Sequence, residues 1–230
     1  MESIKLVVLD MAGTTVADDG LVERAFAEAA AETLGTAAYE EQLAYVRATM
    51  GESKISVFRH LSGGDEALAR RANAAFEAAY ARLVDVGHCA PLPGAREVIE
   101  RLRGEGRTVA LTTGFARVTQ DAILAALGWD DGLVDLALCP ADAGGRGRPY
   151  PDMALTALLR THAADGVGGI AVAGDTSYDM LSGRRAGAPV VAGVLTGAHG
   201  AEALRAAGAT VVLDSVAQLP DAIAAYEAGP

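Results

Sequence analysis

Five polar residues of this 230-residue chain stand where chemistry could be done. Asp10 closes a short apolar run, Ile4-Lys-Leu-Val-Val-Leu, and is followed by Gly13-Thr14-Thr15. Thr112 and Asp175 close two further apolar runs, Asp179 follows Asp175 by one helical turn, and Arg148 lies in a Gly-Arg-Pro-Tyr-Pro loop. Together they supply what phosphoryl transfer requires: a nucleophile, positive charge, and donors around the phosphoryl oxygens. Asp10 is a carboxylate nucleophile. The main-chain amides of the Met11–Thr14 turn, helped by Gly13, and the Thr112 hydroxyl are donors. Arg148 adds charge and a directional fork. Asp175 and Asp179 add carboxylates for a hard cation, for which Mg²⁺ is the natural choice. Asp179 reads equally well as a helix cap or as an acceptor behind the site.

A fold must bring these residues together. Apolar runs at 4–9, 108–111, 169–173, 190–194 and 210–213, with 133–138 as a further candidate, have the length and continuity of buried parallel strands. Helical spacing recurs between them at 95–102, 119–127 and 153–159. The alternation predicts an α/β fold: a Rossmann-like parallel sheet with helices on both faces. Such sheets bind ligands beyond the carboxyl ends of their strands, where Asp10, Thr112 and Asp175 would converge. The segment 21–86 breaks the alternation. Helical patterns at 21–34, 38–49, 53–61 and 65–84 are separated by Gly35, Gly51 and Gly63-Gly64. They predict a small helical cap, residues 18–89, inserted into a core made of 1–17 and 90–230. Its joints are expected at 15–20 and at the Pro- and Gly-rich segment 87–94, so that it can close over a site as a lid.

The balance of 19 Lys+Arg against 30 Asp+Glu gives a formal charge of −11. An acidic surface repels nucleic acid and anionic membranes, yet leaves room for a locally positive pocket that takes a small anionic phospho-metabolite. The N-terminal apolar run is too short for a signal peptide or a membrane span, and a cytoplasmic location is expected. Cys89 and Cys139 are far apart, form no metal-ligand pattern, and are expected as buried, reduced thiols. His60, His88, His162 and His199 show no ligand spacing and read as structural, and Trp129 as packing. A homodimer through the cap helices is left open.

Asp10-Met-Ala-Gly-Thr-Thr, the strand-terminal Thr112, Gly147-Arg148-Pro-Tyr-Pro and Gly174-Asp175-Thr-Ser-Tyr-Asp179 occur in the order of the four motifs of the haloacid dehalogenase superfamily. The chain resembles that superfamily over nearly its whole length. The resemblance implies a Mg²⁺ site formed by Asp10, Ala12, Asp175 and Asp179. Most phosphatases of the superfamily carry a second Asp two places after the nucleophile, where this chain has Ala12. Asp-x-Ala-Gly-Thr, Arg148 in place of the commoner Lys, and Thr113-Gly114-Phe115-Ala116-Arg117 resemble phosphonoacetaldehyde hydrolase. So does Met50-Gly51-Glu52-Ser53-Lys54, whose lysine implies a Schiff base with an aldehyde substrate. The resemblance thus implies catalytic roles for Asp10, Thr112, Arg148 and Lys54. It implies substrate contacts at Gly13, Thr14, Met50, Gly51, Glu52, Thr113, Gly114 and Arg117. Three positions depart from the pattern: Val57 stands for a proton-shuttling His, Phe115 for a Tyr, and Gly20 for a Cys.

Three functions compete. The first is a phosphonatase-like hydrolase with an aspartyl intermediate on Asp10 and Lys54 at the substrate. The second is a phosphate monoester phosphatase of the phosphoglycolate-phosphatase type, with an acid from the cap such as Glu52. The third is a non-catalytic phosphometabolite-binding protein.

Overall fold

The computed structural model describes residues 2–130 and 132–229, with the backbone alone at Val86. Six apolar runs become parallel strands: β1 (Leu6–Asp10), β2 (Thr108–Thr112), β3 (Leu136–Leu138), β4 (Ile170–Gly174), β5 (Val190–Val194) and β6 (Val211–Leu213). They pair in the order β3-β2-β1-β4-β5-β6, so β1 lies between β2 and β4 and the order reverses there. Strand alternation divides the apolar side chains between two faces. Val7, Leu9, Val109 and Leu111 join one core, and Leu6, Val8, Ala110 and Val172 join the other.

Helices cover both faces. Ile99 and Leu102 of α5 (Ala95–Gly104), Ile123 of α6 (Arg117–Leu127) and Ile223 of α10 (Leu219–Ala228) pack on the first. Ala157 of α7 (Asp152–Thr161), Met180 of α8 (Ser177–Ala186) and Leu204 of α9 (Ala201–Ala206) pack on the second. No helix among the described residues is long and apolar enough to cross a membrane.

Four helices lie between β1 and α5: α1 (Leu21–Thr33), α2 (Tyr39–Ala48), α3 (Lys54–Leu61) and α4 (Glu66–Leu83). Each bound falls within a residue of its predicted pattern. Aromatic rings fill the space between them. Phe26 stacks on Phe58 at 6.1 Å, Phe58 lies 5.9 Å from Phe76, and all three are fully buried. Each such ring contributes roughly 1.5–3 kcal/mol by leaving water. This cluster runs without a break into the core under α5 and α6. The two connections to the sheet run side by side: Ala17 N–H donates to the Ala90 carbonyl and Leu92 N–H to that of Thr15, each at 2.9 Å.

The candidate strand at 133–138 shortens to Leu136–Leu138. Asp135 explains the late start. Its carboxylate takes the Val109 N–H at 2.8 Å and pairs with Arg103 at 2.9 Å, which ties down the strand entrance instead of extending it. Helices α8, α9 and α10 carry weak apolar periodicity and did not stand out in the sequence.

Candidate active site

The site forms where the strand order reverses, as expected for an open parallel sheet. Asp10 ends β1 opposite Thr112 of β2, and Leu9 is in register with Ala173 of β4, which brings Asp175 alongside Asp10. Asp179 arrives from the first turn of α8. One carboxylate oxygen each from Asp10, Asp175 and Asp179 lies within 4.8 Å of the others, and all three residues are buried.

Gly13 is required for this approach. Its φ is +83°, and a Cβ there would stand 2.5 Å from the Asp175 carboxylate. Asp179 does two jobs. It closes a capping box on α8 by accepting the Thr176 N–H at 3.1 Å, and it pairs with Arg148 at 2.9 Å. Thr176, not Asp179, is the N-cap of α8; Asp179 is the third helical residue, which closes the capping box from inside.

Arg148 binds the cluster together. Its Nη1 lies 2.6 Å from Asp10 Oδ1, and its Nη2 donates to Thr112 Oγ1 at 3.0 Å. The three carboxylates and one guanidinium are all nearly inaccessible to solvent. Burial raises the Asp10 carboxyl well above the usual range, and Asp179 and Asp175 add to this while Arg148 opposes it. Burial, then Asp179, pushes Asp175 up to about 7. Burial works against the charge on Arg148, but Asp10, Asp179 and Asp175 outweigh it and hold the guanidinium protonated. Ionised together, the group carries an excess of negative charge in a low dielectric. An all-oxygen donor set of this kind fits a hard divalent cation, which would relieve that repulsion.

A cavity of about 60 Å³ adjoins the cluster. The core contributes Asp10, Ala12, Gly13, Arg148 and Asp175 to its lining, and the insertion contributes Asp18, Val22, Met50, Gly51 and Lys54. Thr113, Gly114, Phe115, Thr176 and Ala198 complete it. Lys54, the first residue of α3, is only 8 % exposed, and its Nζ lies 5.5 Å from the centre of the Phe115 ring. Burial pushes its ammonium below the usual lysine range, against the pull of Asp18, Glu77 and Asp10.

The loop that carries Lys54 is seated on three core loops by main-chain contact. Lys54 N–H donates to the Gly114 carbonyl at 3.2 Å. A Cβ on Gly51 (φ +89°) would collide with Thr176, one on Gly114 would stand 2.7 Å from the Glu52 carbonyl, and one on Gly147 would stand 2.8 Å from Ser53 Cβ.

Four expectations are corrected. Thr113, rather than Thr112, borders the cavity; Thr112 lies beneath, holding Arg148 and reaching the Leu9 carbonyl at 3.4 Å. The strand ends at Thr112, so the first residue beyond it meets the open space. Arg117 does not border this cavity. It pairs with Asp142 and donates to Gln120 Oε1 at 2.7 Å, holding the start of α6 to the loop after β3. Glu52 is half-buried beside the cavity without lining it, and its main chain does the packing. Cys139 is buried as expected, but Cys89 is half-buried. Thr14 stands behind Asp175, its hydroxyl 3.4 Å from Oδ1. Val57 packs among apolar residues of the insertion.

Two residues were missed. Asp18 borders the cavity, yet in sequence it is one acidic residue of a joint. Glu77 of α4 accepts the Ala116 N–H at 3.1 Å and the Thr119 hydroxyl, and so caps α6 from another element. A capping partner this remote leaves no local pattern to read.

The profile of the haloacid dehalogenase-like hydrolases matches residues 4–187. A probable phosphatase, IndB, from Dickeya dadantii is 30 % identical over 221 residues, which cover 93 % of this chain and 91 % of that protein. A phosphonoacetaldehyde hydrolase from Pseudomonas fluorescens is 30 % identical over 206 residues, 83 % of this chain and 72 % of that one. The crystal structure of a phosphonoacetaldehyde hydrolase-like protein from Oleispira antarctica superposes with a TM-score of 0.83 at 25 % identity, covering 97 % of this chain and 92 % of that one. With the motif carboxylates gathered around one arginine at the switch point of the sheet, this chain belongs to the haloacid dehalogenase-like hydrolases.

Proposed function

We propose that the chain is a Mg²⁺-dependent hydrolase of a small aldehyde-bearing phosphonate, with Asp10 as nucleophile and Lys54 engaging the carbonyl. One observation carries the reading. A single cavity of about 60 Å³ is bordered by Asp10 and Arg148 and also by the buried Lys54. So small a space suits a metabolite of few heavy atoms.

Arg148, the amides of the Met11–Thr14 turn and the Thr113 hydroxyl orient the phosphoryl oxygens. Asp10 attacks phosphorus and forms an aspartyl phosphate. The electrons of the breaking C–P bond pass into a protonated imine on Lys54, which becomes an enamine. Depression of the Lys54 ammonium favours the free amine that imine formation requires. Ala12 agrees with this route, because no alkoxide leaves and no acid is needed at that position. A divalent cation held by Asp10, Asp175 and Asp179, with the main chain of Ala12 beside it, supplies neutralisation of phosphoryl charge when bound. The insertion, residues 18–89, acts as a cap over the cavity, turning about the paired joints.

A phosphate monoester is the second reading. It is favoured by the probable phosphatase that is 30 % identical across 93 % of the chain, and by Val57 and Phe115, which carry no group able to give or take a proton.

The test is phosphate release from phosphonoacetaldehyde with Mg²⁺, together with borohydride trapping read by mass. Both are expected in the wild type, with the adduct on Lys54. Trapping is expected to vanish in Lys54→Ala, and release to fall on the order of 10⁴-fold or more in Asp10→Asn. Turnover of small phosphate monoesters that survives Lys54→Ala, without any adduct, would replace this reading by the second.

A further inference from the structure

Three carboxylates border the cavity: Asp10, Asp175 and Asp18. The first two are engaged. Asp10 is paired with Arg148, and Asp175 accepts the Ala198 N–H at 2.7 Å and lies beside the Thr14 hydroxyl. Asp18 sits at the entrance to α1, where its Oδ1 takes the Val22 N–H at 3.3 Å. Its other oxygen has no side-chain partner among the described residues.

The remaining acidic groups near Lys54 are unsuited to proton transfer in the cavity. Glu77 is committed to the Ala116 N–H and the Thr119 hydroxyl, and neither Glu77 nor Glu52 borders the space. Val57, Phe115 and Gly20 carry no acid or base. Ala12 removes the one that would have stood beside Asp10. Imine formation still demands one, since a proton must leave the amine and another must reach the departing oxygen.

We infer that Asp18 is the acid–base residue of the Lys54 side of the cavity. The inference rests on the reading that Lys54 forms an imine. Asp18 and Lys54 border the same cavity of about 60 Å³, which places both within reach of one small carbonyl substrate. Transfer of a proton from the ammonium to the Asp18 carboxylate leaves a free amine and a carboxylic acid. The Lys54 nitrogen then bonds to the aldehyde carbon. Asp18 gives its proton to the carbonyl oxygen and takes one from the nitrogen, leaving a neutral carbinolamine. The hydroxyl departs as water with the Asp18 proton, the nitrogen lone pair closes the C=N bond, and the products are a protonated imine, water and the Asp18 carboxylate.

Asp18→Asn isolates this role, because its amide oxygen still accepts the Val22 N–H while its proton transfer is lost. With phosphonoacetaldehyde and Mg²⁺, the rate of borohydride-trapped adduct formation at Lys54 and kcat for phosphate release are both expected to fall about 100-fold or more. The affinity for inorganic phosphate, a competitor bound on the Asp10 side, is expected to stay within about 2-fold. Asp18→Glu, which restores the carboxyl, is expected to recover part of the trapping rate. A helix-capping role alone would move the melting temperature and phosphate affinity without separating Asn from Glu in trapping. If the wild type forms the adduct and Asp18→Asn forms it as fast, Asp18 is not the acid–base residue and the imine reading stands. If the wild type forms no adduct, the imine reading falls and this inference falls with it.

Discussion

The two walls of the cavity are built on different terms. On the sheet side, the charged groups and the Thr112 hydroxyl are tied: Asp10 and Asp179 to Arg148, Asp175 to the Ala198 amide, Thr112 to Arg148. Strand register and the α8 capping box set their positions before any ligand arrives. On the insertion side, Lys54 is buried without an ion-pair partner among the described residues, and the Asp18 carboxylate is held by main-chain N–H groups, not by a cation. The first wall is organised to hold an anion, the second to exchange protons. Buried groups left unpaired lower stability, so their presence in a cleft is a pointer to function.

That comparison is broken most severely at Arg148. Arg148→Ala leaves three buried carboxylates with no cation among them. In EDTA, thermal unfolding is expected to show a loss of about 3–5 kcal/mol, on the order of 10 °C in melting temperature. Added Mg²⁺ is expected to recover much of it by binding the same carboxylates. A loss that Mg²⁺ does not reduce would mean that the cluster is not a cation site.

The second wall predicts the opposite sign. Lys54→Met keeps the side-chain volume and removes a buried amine, so stability is expected to rise by about 1–2 kcal/mol near neutral pH. The sign with pH follows from protons bound. The unfolded lysine stays charged up to its ordinary value of 10.5, whereas the folded one loses its proton lower. Wild-type stability from this group therefore rises as pH climbs through that interval, and the advantage of Lys54→Met shrinks toward zero above 10.5. Melting curves at several pH values check this. An advantage that grew with pH would contradict a depressed lysine.

The smallest effect is expected at Arg117, which the motif resemblance placed at the substrate and the fold places outside the cavity. Its side chain is 40 % exposed, so its pair with Asp142 is screened. Arg117→Ala is expected to cost about 1 kcal/mol or less and to leave kcat within roughly 3-fold. A larger loss of kcat, with stability unchanged, would return Arg117 to the site.

Much of this was legible in the chain itself. The runs 6–9 and 170–173 are apolar at every position and are followed by turn-forming segments, the pattern of buried parallel strands. Their ends mark where ligands bind, so Asp10 and Asp175 could be chosen as partners across 164 intervening positions. The helices of the insertion were equally plain, because Gly35, Gly51 and Gly63-Gly64 punctuate the helical patterns. These properties are local: backbone sterics and side-chain period act over a few residues and are written in order along the chain.

Tertiary structure decided the rest. Thr112 and Thr113 are neighbours of one type, and only the end of β2 sets which of them meets the cavity. Asp18 and Asp19 are adjacent acids in a joint, and only the fold brings Asp18, and not Asp19, to the cavity that Lys54 also borders. Glu77 reads as a surface charge on a helix until the insertion folds back and its carboxylate meets α6. In each case the outcome depends on distances between segments remote in sequence, set by how sheet and insertion pack, and a single chain read in order carries no record of those distances.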